Sequence, residues 1–233
     1  MKKLLRNILN LFLISTKTFI ILNYIKNYFF YYRKKKQCIN LEKDTYLNFK
    51  TIDESKKWFT NNLYFLHKNL SNIEINKLLE IWSYEGRSAL FFSSLFKNAN
   101  ITCVDTWSGS DEHYNHNFEL IEKNFDTNTR SLKEANKLKK FKSSSDTFFK
   151  NNNEYFDFVY VDGDHSKKQV LKDLDNSWNK LNKNGFLLID DYMWWYYKDL
   201  KNNPATAINS FLNENINNFK NMVIWHQVLI QKK

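Results

Sequence analysis

Along the chain the apolar positions fall into two recurring patterns. Short runs such as Leu78-Leu79-Glu80-Ile81, Ile101-Thr102-Cys103-Val104, Phe158-Val159-Tyr160-Val161 and Leu187-Leu188-Ile189 are near-continuous, as strands buried on both faces of a parallel sheet read. Three of these runs stop at carboxylates: Asp105, Asp162 and the pair Asp190-Asp191. Between the last two runs, Val170, Leu171, Leu174, Trp178 and Leu181 recur at helical spacing, and Ser166 with Gln169 reads as a capping box. The pattern predicts a helix over 166–181. A crossover of that length makes the flanking strands parallel, and a right-handed connection brings Asp162, Asp190 and Asp191 to one sheet edge. In open α/β sheets ligands collect outside the carboxyl ends of the strands, so these acids mark a candidate site.

The same grammar holds earlier in the chain. The first run turns through Trp82-Ser83-Tyr84-Glu85-Gly86-Arg87-Ser88 into a helical pattern at Ala89, Leu90, Phe91, Phe92, Leu95 and Phe96. Such a turn offers free backbone N–H groups and a helix N-terminus, which suits a nucleotide-like or carboxylate-bearing ligand. Asp105 ends the next strand 19 residues after Gly86, where an acid accepts hydrogen bonds from ribose hydroxyls. From Pro204, Ala207, Ile208, Phe211, Leu212 and Ile216 predict a helix, and 222–225 with 228–230 predict a closing antiparallel strand pair. The expected architecture is α/β: a Rossmann-like doubly wound sheet, mostly parallel, with an antiparallel C-terminal edge hairpin, helices on both faces and an N-terminal apolar helix.

That N-terminal segment differs in kind. Leu4 to Tyr32 is strongly apolar and ends in Tyr28-Phe29-Phe30-Tyr31-Tyr32 before Arg33-Lys34-Lys35-Lys36. Lys17 sits in the middle of the best window, where it costs roughly 2.5 to 3.5 kcal/mol in a spanning helix. Arg6, Asn10 and Lys17 share one helical face, which favours a segment lying in the headgroup region over one that spans. No small-residue cleavage site follows it, against a removed signal peptide. The alternative is a helix packing on the domain or on a second copy of the chain. Residues 44–70 read as an adapter, with Trp58, Leu63, Phe65 and Leu66 forming a helix against the sheet edge, and 71–233 as the main domain after a basic segment over 1–43.

Composition supports one compact domain plus an extension: 233 residues, 42% apolar and 17% aromatic. The net charge of +10 is uneven, because residues 1–43 hold ten Lys and Arg against the single acid Glu42. The folded domain is nearly neutral, which argues against nucleic acid as a partner. Cys38 and Cys103 are far apart and indicate neither a disulfide framework nor a metal cluster, compatible with a reducing, cytoplasmic compartment.

Taken together, Glu80 to Ser88, Cys103-Val104-Asp105-Thr106-Trp107-Ser108-Gly109-Ser110, Asp157 to His165, Gly185 and Asp190-Asp191-Tyr192 resemble the class I S-adenosylmethionine-dependent methyltransferases. The likeness is to the branch known as methyltransferase domain 24, related to macrocin-type sugar O-methyltransferases, and covers roughly residues 55 to 233. It implies that Glu80, Trp82, Ser83 and the turn to Gly86 hold the methionine part of the cofactor, Asp105 with Thr106 the ribose, and Ser145 the adenine, with Asp162 also at the cofactor. It further implies a magnesium ion on Asp162, Asp190 and Asp191 that orients substrate hydroxyls, and His165 as the base. The acceptor class, a sugar or glycolipid-like hydroxyl of a small molecule or glycan, follows from the resemblance and the N-terminal segment together; that segment places the cytoplasmic protein peripheral to or anchored in the membrane, with a homo-oligomer left open. One departure stands out: the family pattern has glycine at position 82, and an indole there either swings away or fills part of the pocket.

Plainer roles remain open at several positions. Asp162 also suits a helix cap, and His165, next to Ser166, a solvated surface site. His113 and His116 either line the acceptor pocket or face solvent, and Trp107, Trp194 and Trp195 either floor that pocket or pack. Two rival functions follow: a catalytically silent, membrane-tethered scaffold of the same fold, and a nicotinamide-dependent oxidoreductase. The second is disfavoured by a first turn with one glycine.

Overall fold

The structure, a computed structural model, describes residues 16–47, 59–109, 116–194, 199 and 202–233. Leu4, Arg6, Asn10, Trp58, His113 and Trp195 lie outside the described residues, as does the side chain of Lys17. The chain opens with helix α1 (Thr16–Tyr46), and a 3-10 turn (Thr60–Asn62) leads into α2 (Leu63–Leu70). Alternation follows: β1 (Lys77–Ile81), α3 (Arg87–Leu95), β2 (Asn100–Asp105), α4 (Phe118–Asn128), α5 (Arg130–Glu134), β3 (Leu138–Lys142) and α6 (Ser145–Asn151). The last elements are β4 (Phe156–Val161), α7 (Lys167–Lys180), β5 (Leu181–Ile189), α8 (Pro204–Glu214), β6 (Phe219–Ile224) and β7 (Val228–Lys232).

The strands form one sheet in the order β3-β2-β1-β4-β5-β7-β6. β1 pairs in parallel with β2 and β4, β4 with β5, and β7 runs antiparallel to both β5 and β6. This is the expected doubly wound sheet with its antiparallel edge. The strand order reverses between β1 and β4, and that reversal opens the crevice at the carboxyl ends where such folds bind ligands. Because strand side chains alternate, the near-continuous apolar runs feed two cores. Leu78, Phe158, Tyr160 and Leu188 face α2 and α3, whereas Leu79, Ile81, Val159, Val161, Leu187 and Ile189 face α6, α7 and α8.

The capping box before α7 is only half made. Ser166 Oγ accepts from the Gln169 backbone N–H, but the Gln169 amide turns away to donate to Ser145 and Asp173. Two buried acceptors on a neighbouring helix and on α7 itself outbid the solvent-facing cap.

Helix α1 is one unbroken element of 31 residues, so the division expected at residue 43 falls inside it. Charge placed that division, whereas backbone hydrogen bonding and the docking of Cys38, Glu42 and Tyr46 set the helix end. Its C-terminal part packs on the domain: the Phe30 ring lies tilted on Phe65 with centroids 4.4 Å apart, and Cys38 and Tyr46 are buried. Leu22, Ile25, Phe29, Tyr32 and Ile39 recur at three- and four-residue steps and more, and all are exposed. Exposed Lys26, Arg33, Lys35 and Lys36 accompany that stripe. Among the described residues no helix is long and apolar enough to cross a membrane.

Candidate active site

The first half of the site is the turn after β1. Trp82 (φ 70°), Tyr84 (φ 48°) and Gly86 (φ 83°) are all left-handed, a conformation that costs a non-glycine residue about 1 kcal/mol or more. Asp105 holds the turn in this shape. Its Oδ2 accepts from the backbone N–H groups of Ser83 and Tyr84 at 3.0 and 2.9 Å, and its Oδ1 from that of Trp107 at 2.7 Å. Burial raises the pKa of Asp105, and these backbone donors work against the rise. The Trp107 indole N–H adds a bond to the Tyr84 carbonyl at 2.9 Å, and Trp107 is buried, so it clamps the turn rather than flooring a pocket.

Glu80 lies beneath this turn, fully buried, with Cys103 donating to its Oε2 at 3.4 Å. Burial raises its pKa, and the nearby Ser83, Ser88 and Cys103 groups oppose that shift. Trp82 is half-buried against the second core, and its backbone N–H binds the Val104 carbonyl at 2.8 Å. A Cβ at Gly163 would come 3.6 Å from Trp82 Cδ1 and 2.9 Å from Asp173 Oδ2. The indole therefore lies against the residue that follows Asp162, between the ends of β1 and β4, and Gly163 has no room for a side chain. Ser145 opens α6 and is buried beside Gln169. Thr106 Oγ1 accepts weakly from the Ser108 N–H at 3.3 Å. His116 approaches the Tyr84 hydroxyl, Nδ1 to Oη being 3.4 Å.

The second half sits at the ends of β4 and β5. Tyr160 donates one hydroxyl to both Asp162 Oδ2, at 3.0 Å, and Asp190 Oδ2. Gln227, arriving from the β6–β7 connection, donates to the same Asp190 oxygen at 2.7 Å. His165 Nε2 is 2.6 Å from Asp191 Oδ2, and the imidazole packs on Trp194 with centroids 4.5 Å apart. One ligand atom from each of Asp162, His165 and Asp191 lies within 4.8 Å of the others. The three aspartates converge as expected, but Asp190 is turned toward Tyr160 and Gln227 while His165 joins the other two.

The electrostatics follow from this crowding. Burial, then the charges of Asp190 and Asp191, push Asp162 well up; burial and then Asp191 push Asp190 up. Burial would raise Asp191 too, but His165 beside it holds it below the usual carboxylate range. Asp162 does not cap α7, because Ser166 does so and Asp164 Oδ1 takes the Ser166 N–H at 2.7 Å. His165 is no solvated surface residue, with only 14% of its side chain exposed.

Three partners were not anticipated: Tyr160, Gln227 and Asp173. Tyr160 had a signal, since residues two apart on a strand share a face and it stands two before Asp162. Asp173 had none. It lies mid-helix in α7 with 1% exposure, accepts from Gln169 at 3.0 Å, and burial raises its carboxyl to about 6.

The methyltransferase model of the domain-24 type matches residues 79–192, which span both halves of this site. Residues 79–192 thus match a methyltransferase domain of that type, and the fold around them is that of the class I enzymes. A search of curated proteins finds no match to the sequence. Among solved structures, the methyltransferase is similar to a putative caffeoyl-CoA O-methyltransferase from Staphylococcus aureus, at 14% identity and a TM-score of 0.57 over 90% of this chain and 99% of that one. It is also similar to the O-methyltransferase TomG from Streptomyces achromogenes, involved in tomaymycin synthesis and solved with S-adenosylmethionine: 9% identity, TM-score 0.55, 75% of this chain and 81% of that one. A third is MycE of the mycinamycin pathway, solved with Mg, S-adenosylhomocysteine and mycinamycin VI, at 16% identity and TM-score 0.51. That match covers 75% of this chain and 49% of MycE. At these identities the likeness is one of fold.

Proposed function

We propose that this methyltransferase transfers the methyl group of S-adenosylmethionine to a hydroxyl of a sugar or glycolipid-like acceptor, with a divalent cation at the β4–β5 acids. The observation that carries the reading is the packing of Asp162, Asp190 and Asp191 at adjoining strand ends, set against a tyrosine hydroxyl, the Gln227 amide, the Asp191 backbone N–H and the imidazoles of His165 and His226. Like charges this close stay ionised only beside a cation, and oxygen donors with at most one imidazole suit a hard ion such as magnesium. MycE, similar in fold and solved with Mg and mycinamycin VI, lends the metal and a small-molecule acceptor further support. Asp162 and Asp191 would hold the ion, with Asp190 behind them. When bound, the ion would lower the pKa of a nearby acceptor hydroxyl.

The chain's own residues supply the rest. The sulfonium methyl is already electrophilic, so alignment dominates and is worth about 7 to 11 kcal/mol in a near-attack geometry. His165, whose Nε2 lies 2.6 Å from Asp191 Oδ2, is the imidazole beside the acids that would take the acceptor's proton. Asp105 and the turn through Ser83 and Gly86 would seat the nucleoside and methionine ends of the cofactor.

Trp82 motivates a second reading, a silent module of the same fold whose cofactor cleft is narrowed by the indole. The two separate in one tryptophan-fluorescence titration with S-adenosylmethionine, S-adenosylhomocysteine and NAD. Saturation by the first two alone supports the enzyme; no response to any supports the silent module. The exposed apolar stripe of α1, with its lysines and Arg33, supports a peripheral position on an anionic membrane. Full-length protein should therefore co-sediment with vesicles containing phosphatidylglycerol. Unchanged sedimentation of a Phe29→Ser/Tyr32→Ser variant would remove the membrane part of the proposal.

A further inference from the structure

Arg87 is the first residue of α3, directly after left-handed Gly86. Helix α1 holds it by three contacts. The guanidinium Nη2 donates to Glu42 Oε1, an oxygen that also accepts from Thr60 Oγ1 at 2.8 Å. Tyr46, one turn further along α1, donates its hydroxyl to the Arg87 carbonyl at 2.9 Å, and its ring centroid lies 4.9 Å from the guanidinium carbon. Arg87 and Glu42 keep only 13% and 11% of their side-chain surface exposed.

A buried ion pair adds little net stability over an apolar substitute, but removing one partner strands a charge, so its effect is to fix one geometry. Here the geometry fixed is that of the residue closing the cofactor turn. On the opposite side the turn is tied inward by Asp105 and by Asn128, whose amide donates to the Glu85 carbonyl at 2.8 Å. The turn is thus gripped from the sheet and from α1, at three left-handed residues that would otherwise relax.

We propose that the C-terminal end of α1 is part of the cofactor-binding machinery: Glu42 and Tyr46 are positioning residues that act through Arg87 to hold the Trp82–Gly86 turn in its binding shape. This rests on the reading of the turn as the S-adenosylmethionine site. The helix that carries the exposed stripe at one end therefore braces the cofactor turn at the other.

The test uses the full chain and S-adenosylhomocysteine as the calorimetric probe. Tyr46→Phe keeps the ring and loses only the hydroxyl; Glu42→Gln keeps the shape and loses the charge. Each should weaken binding about five-fold, the worth of one buried hydrogen bond, and speed amide exchange over residues 83–89 while leaving β6 and β7 unchanged. Asn182→Ala, which removes a bond to Asp157 at the amino ends of the strands, is the control. It should lower the melting temperature without touching affinity. Variants that melt earlier yet bind like the wild type and keep their protection over 83–89 would overturn the inference alone. No binding by the wild type would overturn the cofactor reading, and this inference with it.

Discussion

The two halves of the site stand at the same edge of one sheet and both present aspartates, but the protein completes only one of them. Asp105 receives three backbone N–H groups within 3.0 Å, so its charge is spent on shaping the turn. Asp162 and Asp190 share one tyrosine hydroxyl and repel each other and Asp191. A carboxylate reached by several backbone N–H groups is committed to holding their geometry, whereas crowded carboxylates wait for a proton or a cation. The same residue type therefore does opposite work a few strands apart, and the donors around it decide which.

The comparison breaks most visibly in activity. Asp191→Asn removes both a proposed cation ligand and the neighbour of His165, and methyl transfer should fall by about 100-fold or more with the fold intact. An assay with a hydroxyl acceptor in the presence of magnesium checks this, and activity within a few-fold of wild type would remove the acid cluster from the chemistry.

Stability should split the halves next. Asp105→Ala leaves buried backbone donors unmet at about 1 to 3 kcal/mol each, so urea unfolding should show a loss of roughly 3 kcal/mol or more. Asp162→Asn in metal-free protein should instead be neutral or stabilising, because it relieves repulsion. Equal losses at both positions would erase the distinction.

Asp173 is a buried acid away from the Asp162–Asp190–Asp191 cluster and adds a pH signature. Its folded pKa of about 6 lies above the ordinary 3.8, so the native state binds more protons across that interval and stability falls as pH rises through it. Asp173→Asn should be more stable than wild type by about 3 kcal/mol above pH 6, and the gain should vanish near pH 3. A gain that does not depend on pH would assign it to packing instead.

The smallest expected change sharpens the turn. Trp82→Gly removes an indole lying against Gly163 and a left-handed side chain, and S-adenosylmethionine should bind about ten-fold tighter. An unchanged dissociation constant would show that the indole stands clear of the cofactor.

Much of this was legible in residue order. Period and run length define the buried strands and α7, the length of the crossover makes β4 and β5 parallel, and together these bring Asp162, Asp190 and Asp191 to one edge. The lone glycine of the first turn and Asp105 beyond it mark the nucleoside side for the same reason. These are local facts, because a strand's alternation and a helix's period depend on neighbours within a few residues.

What packing alone decided are the partnerships. Asp190 meets Gln227 across 37 positions and Arg87 meets Glu42 across 45, and neither pair has any mark in sequence spacing. Packing also turned Gln169 from its cap toward Asp173, set Trp82 against Gly163, and brought His165 rather than Asp190 into the group with Asp162 and Asp191. Backbone periodicity decides which end of a strand an acid occupies. Which donors reach that acid depends on how distant elements settle, and in a buried cluster those donors set whether a carboxylate braces a turn or holds charge in readiness.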